Sequence, residues 1–283
     1  MSFISSVSPA GMVITDLDGT LLRSDRTFSP ANLATLQYLE ECYILRVIAT
    51  GRSLYSLRKV VPENFPIDYV IFSSGAGIID WRTQQLLIAH HLSLQEVTSA
   101  LNLLMEHQLD FMLHHPIPDN HHFWYYSTGR ENPDFFRRYE LYRDFAAPFH
   151  PTGMPVPEKA CQFVAIVSFP EAFSQYIIVR EQLPGLKVIR ATSPLDSASI
   201  WIEIFPQTVS KALASAWLAD QFQLPYSKIL ALGNDYNDLD LLQWAEHSVV
   251  VANAPTDLKA LYRTVRSNDQ DGFTQAVEMW MNH

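Results

Sequence analysis

The sequence contains few cysteines, an excess of acidic over basic residues, and no long hydrophobic run. Cys42 and Cys161 are the only cysteines among 283 residues and have no CxxC spacing, which excludes a disulfide scaffold and a cysteine-rich zinc site. Lysine and arginine number 20 against 30 aspartates and glutamates, and the net charge is −10. This balance argues against nucleic acid or an anionic membrane as the main partner. A small anionic substrate remains compatible if a local cation neutralises it.

Membrane and export signals are also missing from the sequence. No segment reaches the roughly 18 consecutive apolar residues that a membrane-spanning helix needs. The opening MSFISSVSPAG has neither a basic region nor an apolar run of signal-peptide length. Apolar residues make up 48% of the chain and charged residues 18%, a composition that supports a sizeable core. We therefore expect a soluble cytoplasmic protein with one large or two modest domains.

Short apolar runs bounded by turn residues recur towards both ends of the chain. They are typical of strands buried on both faces of a parallel sheet: MVIT (12–15), ILRVIA (44–49), YVIFS (69–73), KILAL (228–232) and SVVVA (248–252). Helical patterns lie between them, from Ser29 with proline at the first helical position, over 209–222 and over 237–247. The alternation predicts an α/β fold with a doubly wound parallel sheet and functional residues at strand carboxyl ends.

The segment from about Trp81 to Phe205 has a different pattern and carries most of the aromatic and histidine content. It is far longer than the roughly 30 residues of a βαβ unit. It contains two alternating runs typical of antiparallel strands and two helical patterns: QFVAIVSF (162–169), SIWIEIF (199–205), 93–107 and 171–183. We therefore expect an inserted α+β domain over 82–205, with a core domain formed by 1–81 and 206–283.

Two carboxylates follow the first predicted strand in GMVITDLDGTLL. Asp16 and Asp18 are two residues apart, so on a strand they face the same way. Carboxylates that close repel each other, and burying one without a partner is costly, which points to a cation or ligand. Gly19 then permits a tight turn whose N–H can approach an anion. In isolation, the same pair is equally typical of a solvated loop.

Two further segments supply groups that suit a phosphate. Thr50, Gly51 and Arg52 end the second predicted strand, where a hydroxyl and backbone N–H groups suit phosphate oxygens. Alone, this tripeptide is as consistent with an ordinary strand-to-helix turn. Lys211 lies in the first turn of a predicted helix, where electrostatics favour an acid, so a lysine there fits a nearby anion.

A dense polar loop ends a later strand in ILALGNDYNDLDLL. It contains Gly233, Asn234, Asp235, Asn237 and Asp238. Carboxylate and amide oxygens of this kind are the ligands that a hard cation prefers.

Taken together, DLDGTLL, TGR, the lysine at 211 and GNDYND resemble the four motifs of haloacid dehalogenase-like phosphatases, in the same order and context. The long insertion between the second and third segments resembles the type-II cap of that superfamily. TVSKALA, NAPTDLKALYRTV and SNDQDGF further resemble its Cof-like branch, which includes sugar-phosphate phosphatases.

The resemblance implies a role for each segment. Asp16 would be the nucleophile that forms an aspartyl-phosphate, and Asp18 the general acid and base. Mg²⁺ would be held by the Asp16 carboxylate, the Asp18 backbone carbonyl and an oxygen of the fourth motif. Lys211 would neutralise charge and bind the phosphoryl group. The phosphate- or substrate-binding positions would be Gly19, Thr50, Gly51, Arg52, Ser74 and Asn237.

The sequence departs from the pattern of this branch at two positions. Asn234 stands where the first metal-binding aspartate of the fourth motif belongs. Either its amide oxygen binds the metal or Asp235 turns inward instead, and we expect Asp235 to take part, with Asp238 also in the metal set. Ser74 stands where the branch has an asparagine before Gly-Ala.

We interpret the chain as a Mg²⁺-dependent phosphatase of a small phosphorylated metabolite, with a sugar phosphate as the first substrate class to test. Two alternatives use the same residues: a catalytically weak sensor of a phosphorylated metabolite, and a phosphomutase with the same intermediate. We expect neither nucleic acid nor membrane as a partner and assign no oligomeric state. Adjacent histidines on a strand point to opposite faces, so we interpret three doublets as structural: His90-His91, His114-His115 and His121-His122.

Overall fold

The computed structural model describes residues 8–196 and 198–282. Its strands are β1 (Gly11–Thr15), β2 (Ile44–Ala49), β3 (Tyr69–Phe72), β4 (Gly77–Asp80), β5 (Gln85–Ala89), β6 (Leu92–Ser93), β7 (Phe111–His114), β8 (Phe123–Tyr126), β9 (Ala146–Pro148), β10 (Lys159–Ala160), β11 (Gln162–Val167), β12 (Leu186–Thr192), β13 (Ile200–Pro206), β14 (Ile229–Gly233), β15 (His247–Val251) and β16 (Arg263–Val265). Its α-helices are α1 (Pro30–Glu41), α2 (Leu54–Arg58), α3 (Leu94–Glu106), α4 (Pro133–Leu141), α5 (Ala172–Gln182), α6 (Lys211–Gln221), α7 (Leu239–Trp244), α8 (Thr256–Leu261) and α9 (Gly272–Met281). Within the described ranges, none of these helices has the length and apolar character needed to cross a membrane.

The chain divides into two compact units. The first comprises Met1–Ile88 and Ser210–His283, and the second comprises Ala89–Val209. Strand β5, which lies inside the insertion as the sequence delimited it, is instead the edge strand of the first unit's sheet. The chain therefore leaves the first unit after β5 and not before it.

The first unit is built on an eight-stranded sheet with the order β16-β15-β14-β1-β2-β3-β4-β5. The pairs from β16 to β3 are parallel, and β4 returns antiparallel to β3. Ile14 on β1 lies opposite Ala231 on β14 and Val47 on β2. The predicted parallel α/β core is confirmed, and the carboxyl ends of β1, β2 and β14 meet at one edge, where α/β folds place their sites.

Apolar side chains of the sheet pack against helices. Met12 and Ile14 of β1 lie in one buried cluster with Leu218 of α6 and Leu241 of α7. Helices α1 and α9 pack on each other, α1 on β2 and α9 on β14 to β16. Burial of this kind stabilises the sheet by about 25 cal/mol per Å² of apolar surface removed from water.

Helix boundaries follow local capping. Helix α1 begins where predicted, because the Ser29 hydroxyl accepts the N–H of Asn32. The helix predicted over 237–247 is shorter, since a 3₁₀ turn (Tyr236–Asp238) precedes α7 and Ala245 is extended.

The second unit has a six-stranded sheet with the order β12-β13-β11-β7-β8-β9. Strands β11 and β13 pair antiparallel, as their alternating patterns predict. Helices α3 and α5 contribute Leu104 and Val179 to a buried cluster with Phe163 of the sheet. A separate cluster joins Phe135 of α4 to Val164 of the sheet, so the sheet carries helices on both faces.

His114 in the second unit leads to a prediction of pH-dependent stability. Its Nδ1 lies 2.8 Å from the carbonyl oxygen of Asn120, while Nε2 is buried with no hydrogen-bond partner in the described part of the chain. Burial, and then the nearby Arg138 charge, lowers the pKa of His114 to about 3. An unfolded histidine has a pKa of about 6.5, so the unfolded chain binds more protons below that pH. His114 therefore reduces stability as the pH falls from about 6.5 towards 3, by up to about 1.4 kcal/mol per pH unit.

Urea unfolding at pH 7, 6 and 5 measures this effect. His114→Asn, whose amide keeps a donor for the Asn120 carbonyl, should show a smaller loss of stability on acidification than the wild type. His150→Asn, at an exposed position, is the control and should follow the wild type. Equal pH dependence in His114→Asn and the wild type would contradict the prediction.

Candidate active site

Asp16 follows the last residue of β1 and is buried in the first unit. Its backbone N–H donates to the carbonyl of Leu232 on β14, 2.9 Å away, which continues the parallel pairing by one residue. The residue is 5% exposed. Its Oδ1 accepts a hydrogen bond from Lys211 Nζ at 2.7 Å and its Oδ2 accepts one from Thr20 Oγ1 at 3.1 Å.

Lys211 begins α6 and is fully buried between two carboxylates. The Ser210 hydroxyl caps the helix by accepting the N–H of Leu213. The ammonium group donates to Asp16 Oδ1 at 2.7 Å and to Asp238 Oδ1 at 2.6 Å. Burial by itself lowers the pKa of Lys211, but the two carboxylates outweigh it and raise the pKa above its ordinary value. The lysine is therefore charged, and it is shared between two carboxyl groups.

The pKa of Asp16 is raised to about 7. Burial is the main cause, Lys211 opposes it, and the neighbouring Asp238 carboxylate adds to the rise. When burial and a like charge raise the pKa of a carboxyl group, an additional positive charge nearby stabilises its ionised form. The cluster of Asp16, Lys211 and Asp238 therefore favours the approach of a cation.

Asp238 organises the loop after β14. It is fully buried, and its Oδ2 accepts the backbone N–H groups of Asn234 at 2.8 Å and Asp235 at 3.1 Å. With Oδ1 on Lys211, both carboxylate oxygens are engaged within the protein. The expectation that Asp238 belongs to the metal set stays a prediction.

Asp235 makes a local capping contact, and the expectation that it takes part in metal binding, directly or through water, stays a prediction. Its side chain accepts the N–H of Asp238 and caps the 3₁₀ turn of which Asn237 is the central residue. The side chain that reaches the Asp16 region is Asn234. Strand alternation gave no guide here, because the chain leaves the strand at Gly233.

Asn234 brings a third oxygen to a common point. In one orientation of its amide, Oδ1 lies 3.1 Å from Asp16 Oδ2 and 3.2 Å from the backbone carbonyl oxygen of Asp18, and in the other orientation Nδ2 donates to the same two oxygens. A carboxylate, a backbone carbonyl and an amide oxygen that converge in this way fit Mg²⁺, which prefers oxygen ligands. The described residues contain no group of three histidine, cysteine or acidic side chains placed for a metal, so this mixed set is the candidate site.

Gly19 makes room for that convergence. Its φ is +75°, and a Cβ atom built on it would lie 2.6 Å from Asn234 Nδ2. Any larger residue would strain the backbone and displace Asn234. This places Gly19 beside the candidate cation site, in agreement with the tight turn predicted there.

Asp18 and Arg52 form a bidentate ion pair at the edge of the cluster. Arg52 Nε and Nη2 donate to the two Asp18 oxygens, both at 2.6 Å, and the Asp18 side chain is 43% exposed. The buried Thr50 hydroxyl accepts the N–H of Arg52 at 3.2 Å, so Thr50 and Gly51 fix the loop that carries the guanidinium. The family resemblance had placed Arg52 among the phosphate- or substrate-binding positions.

The loop 73–75, between β3 and β4, contacts both Thr50, which follows β2, and Ser210, which precedes α6. Ser74 donates its N–H to the Thr50 carbonyl and adopts a left-handed φ of 55°. Gly75 has a φ of +104°, and a Cβ on it would lie 2.3 Å from the carbonyl oxygen of Ser210. Ser74 and Gly75 therefore support the helix cap next to Lys211.

Sequence reasoning missed two residues of the site. Thr20 is fully buried and contacts both Asp16 Oδ2 and Asn234 Oδ1, and Asn253 Nδ2 donates to the Gly19 carbonyl at 2.7 Å. Thr20 follows directly after DLDG, and Asn253 belongs to NAPTD. Both segments carried the family resemblance, but neither residue had been given a role.

Comparison with known proteins gives consistent results. A family model described as haloacid dehalogenase-like hydrolase matches residues 13–277. The Bacillus subtilis protein named 5-amino-6-(5-phospho-D-ribitylamino)uracil phosphatase YwtE is 26% identical over 284 aligned positions, covering 94% of this chain and 96% of its own. The solved structure of BT1666 from Bacteroides thetaiotaomicron, titled as a phosphatase, has a TM-score of 0.77 at 21% identity and covers 99% of both chains. That of the subclass IIB sugar phosphatase BT4131 has a TM-score of 0.75 at 16% identity, covering 96% of this chain and 99% of its own.

Proposed function

The chain belongs to the haloacid dehalogenase-like hydrolases, and from that premise we propose that it is a Mg²⁺-dependent phosphatase that works through an aspartyl-phosphate. The observation that carries the proposal is the position of Asp16. One of its oxygens accepts from Lys211 at 2.7 Å, and the other lies 3.1 Å from the Asn234 amide, which also lies 3.2 Å from the Asp18 carbonyl oxygen. A carboxylate that lies between a fixed ammonium group and a cation site can attack a phosphoryl group, because the positive charges stabilise the phosphoryl oxygens.

In the first half of the proposed reaction, an Asp16 oxygen attacks phosphorus in line with the leaving oxygen. The new bond joins Asp16 to phosphorus, and the bond from phosphorus to the leaving oxygen breaks. Asp18, once its carboxyl group is protonated and released from the two Arg52 hydrogen bonds, gives a proton to the leaving oxygen, which departs as an alcohol. Lys211 stays charged throughout, so it stabilises the Asp16 carboxylate that forms again when the aspartyl-phosphate is hydrolysed.

In the second half, water attacks the phosphorus of the aspartyl-phosphate and gives its proton to Asp18. The bond between Asp16 and phosphorus breaks, and inorganic phosphate leaves. Mg²⁺ bound by Asp16, the Asp18 carbonyl and Asn234 would supply positive charge that offsets the negative charge of the phosphoryl oxygens. Arg52 would position Asp18, and Thr50, Gly51, Gly19, Ser74 and Asn237 would surround the phosphoryl group and the substrate.

We propose a small phosphorylated metabolite as the substrate, with sugar phosphates as the first class to test. Support comes from relatives that are named for such substrates, a phosphorylated ribityl compound for YwtE and a sugar phosphate for BT4131. Among the described residues, the carboxylates and lysine of the cluster all belong to the first unit. We assign substrate selection to the second unit, Ala89–Val209.

Removal of the metal tests the proposed function. The purified chain should release phosphate from p-nitrophenyl phosphate in the presence of MgCl₂, and EDTA should reduce the rate by at least about 100-fold, with recovery after excess MgCl₂ is added. Phosphate release that is insensitive to EDTA would contradict metal dependence. Mg²⁺ binding without turnover would favour the sensor.

A panel of phosphorylated metabolites then identifies the substrate class. The products should be free phosphate and the dephosphorylated alcohol in equal amounts. An isomerised sugar phosphate without free phosphate would favour the mutase instead.

A further inference from the structure

We propose that the side chain of Asn234 occupies the cation site itself when no cation is bound, and that it rotates to become a ligand when Mg²⁺ enters. In the first state its NH₂ group faces the oxygens of Asp16 and Asp18, and in the second its Oδ1 faces them. The proposal rests on the proposed metal-dependent function and concerns what an amide does there that a carboxylate cannot.

The two orientations of the amide need almost no movement of other atoms. With Oδ1 inward, it stands 3.1 Å from Asp16 Oδ2 and 3.2 Å from the Asp18 carbonyl oxygen, and the Thr20 hydroxyl can give its single hydrogen to Asp16 Oδ2 or to Asn234 Oδ1. One hydrogen cannot serve all these oxygens, so a bound cation favours this orientation. A half-turn of the amide brings Nδ2 to the same point, where its two hydrogens have three acceptors within reach, Asp16 Oδ2 at 3.1 Å, Thr20 Oγ1 at 3.2 Å and the Asp18 carbonyl oxygen at 3.2 Å.

An aspartate at position 234 would lack the second state, because an ionised carboxylate has no donor. Without a metal it would face the buried Asp16 carboxylate at about the distance of a hydrogen bond. Lys211 is already shared between Asp16 and Asp238 and cannot neutralise a third carboxylate. Two such carboxylates repel each other, and the repulsion is strong in a buried site.

The amide therefore lowers the free energy of the metal-free protein and supplies less charge to the metal-bound one. Both effects weaken Mg²⁺ binding relative to a carboxylate, since ligand charge tunes cation affinity over several decades. The chain is thus expected to stay folded without metal and to bind Mg²⁺ reversibly in a low-affinity range.

The test compares Asn234→Asp with the wild type by calorimetric Mg²⁺ titration and by thermal unfolding, with and without MgCl₂. We expect Asn234→Asp to bind Mg²⁺ at least about tenfold more tightly and to unfold about 2–4 °C or more below the wild type in EDTA. Its melting temperature should rise more steeply with MgCl₂. Asn64→Asp, which adds the same charge at an exposed position of the first unit, is the matched control and should match the wild type in both.

Three outcomes would overturn the proposal: equal Mg²⁺ affinity of Asn234→Asp and the wild type, equal melting temperatures in EDTA, or no Mg²⁺ binding by either. The third would overturn the proposed metal-dependent function as well, whereas the first two leave it intact.

If Asn234→Asp does not fold, NMR of the wild type provides the second measurement. The side-chain NH₂ of Asn234, assigned by its loss in Asn234→Ala, should exchange slowly with water in EDTA. It should exchange at least about tenfold faster with saturating MgCl₂, because its three acceptors are then lost. Equal exchange in both conditions would overturn the rotation.

Discussion

Asp16→Asn is expected to abolish phosphate release, with a fall in kcat of at least about 10⁴-fold on p-nitrophenyl phosphate. An amide is too weak a nucleophile to displace an alcohol from phosphorus, and no aspartyl-phosphate can form. Asparagine has nearly the same shape as aspartate, and its Oδ1 can still accept from Lys211. The loss of activity should therefore come without loss of the fold.

Steady-state kinetics measure the loss of activity. Circular dichroism on the same preparation measures whether the fold is kept. Asp220→Asn, at an exposed position of α6, makes the same chemical change outside the cluster and should keep wild-type activity. Retention of full activity by a folded Asp16→Asn protein would rule out Asp16 as the nucleophile and with it the proposed mechanism.

Lys211→Met should destabilise the first unit by about 3–5 kcal/mol, because it leaves two carboxylates buried without a counter-charge. Asp16 is 5% exposed and Asp238 is fully buried, so water cannot replace the ammonium group without opening the core. Methionine fills a similar volume, and packing alone would cost much less. Urea unfolding at pH 7 in EDTA gives the free energy of unfolding.

A double-mutant cycle separates charge from packing. If the ion pair carries the effect, Lys211→Met combined with Asp16→Asn should lose less stability than the sum of the two single changes, by about 1 kcal/mol or more. Lys228→Met, exposed beside β14, should leave the stability near that of the wild type. Strict additivity of the two changes would show that the charges are not coupled.

The parts of the fold that depend on periodicity could be predicted from the sequence. The run ILRVIA coincides with β2, and the serine before Pro30 caps α1 as expected. Four chemically distinctive segments gave the family, because their spacing and order are far more specific than any one of them. The rule that sites gather at strand carboxyl ends brought Asp16 together with the loop after β14, whereas the family resemblance implied that Lys211 joins them.

What could not be predicted depends on side-chain direction after a strand ends. GNDYND admits both Asn234 and Asp235 at the cation site and led us to favour Asp235, whereas the structure shows Asp235 in a capping contact with the Asp238 N–H. In the same way, Arg46 gives no sign within its apolar run of the buried ion pair that it makes with Asp68. Both contacts depend on side-chain directions that the local order of apolar and polar residues does not determine.

The sheet order has a consequence for how the protein is made. Strand β1 is flanked by β2 and β14, and the partners Asp16 and Lys211 are 195 residues apart in the chain. While the ribosome is still translating the intervening segment, β1 has an open edge, and the Asp16 carboxylate stays in water. Closing such distant contacts is slow, so the first strand to be translated is among the last to be enclosed, and a nascent chain released before residue 211 cannot complete its own core.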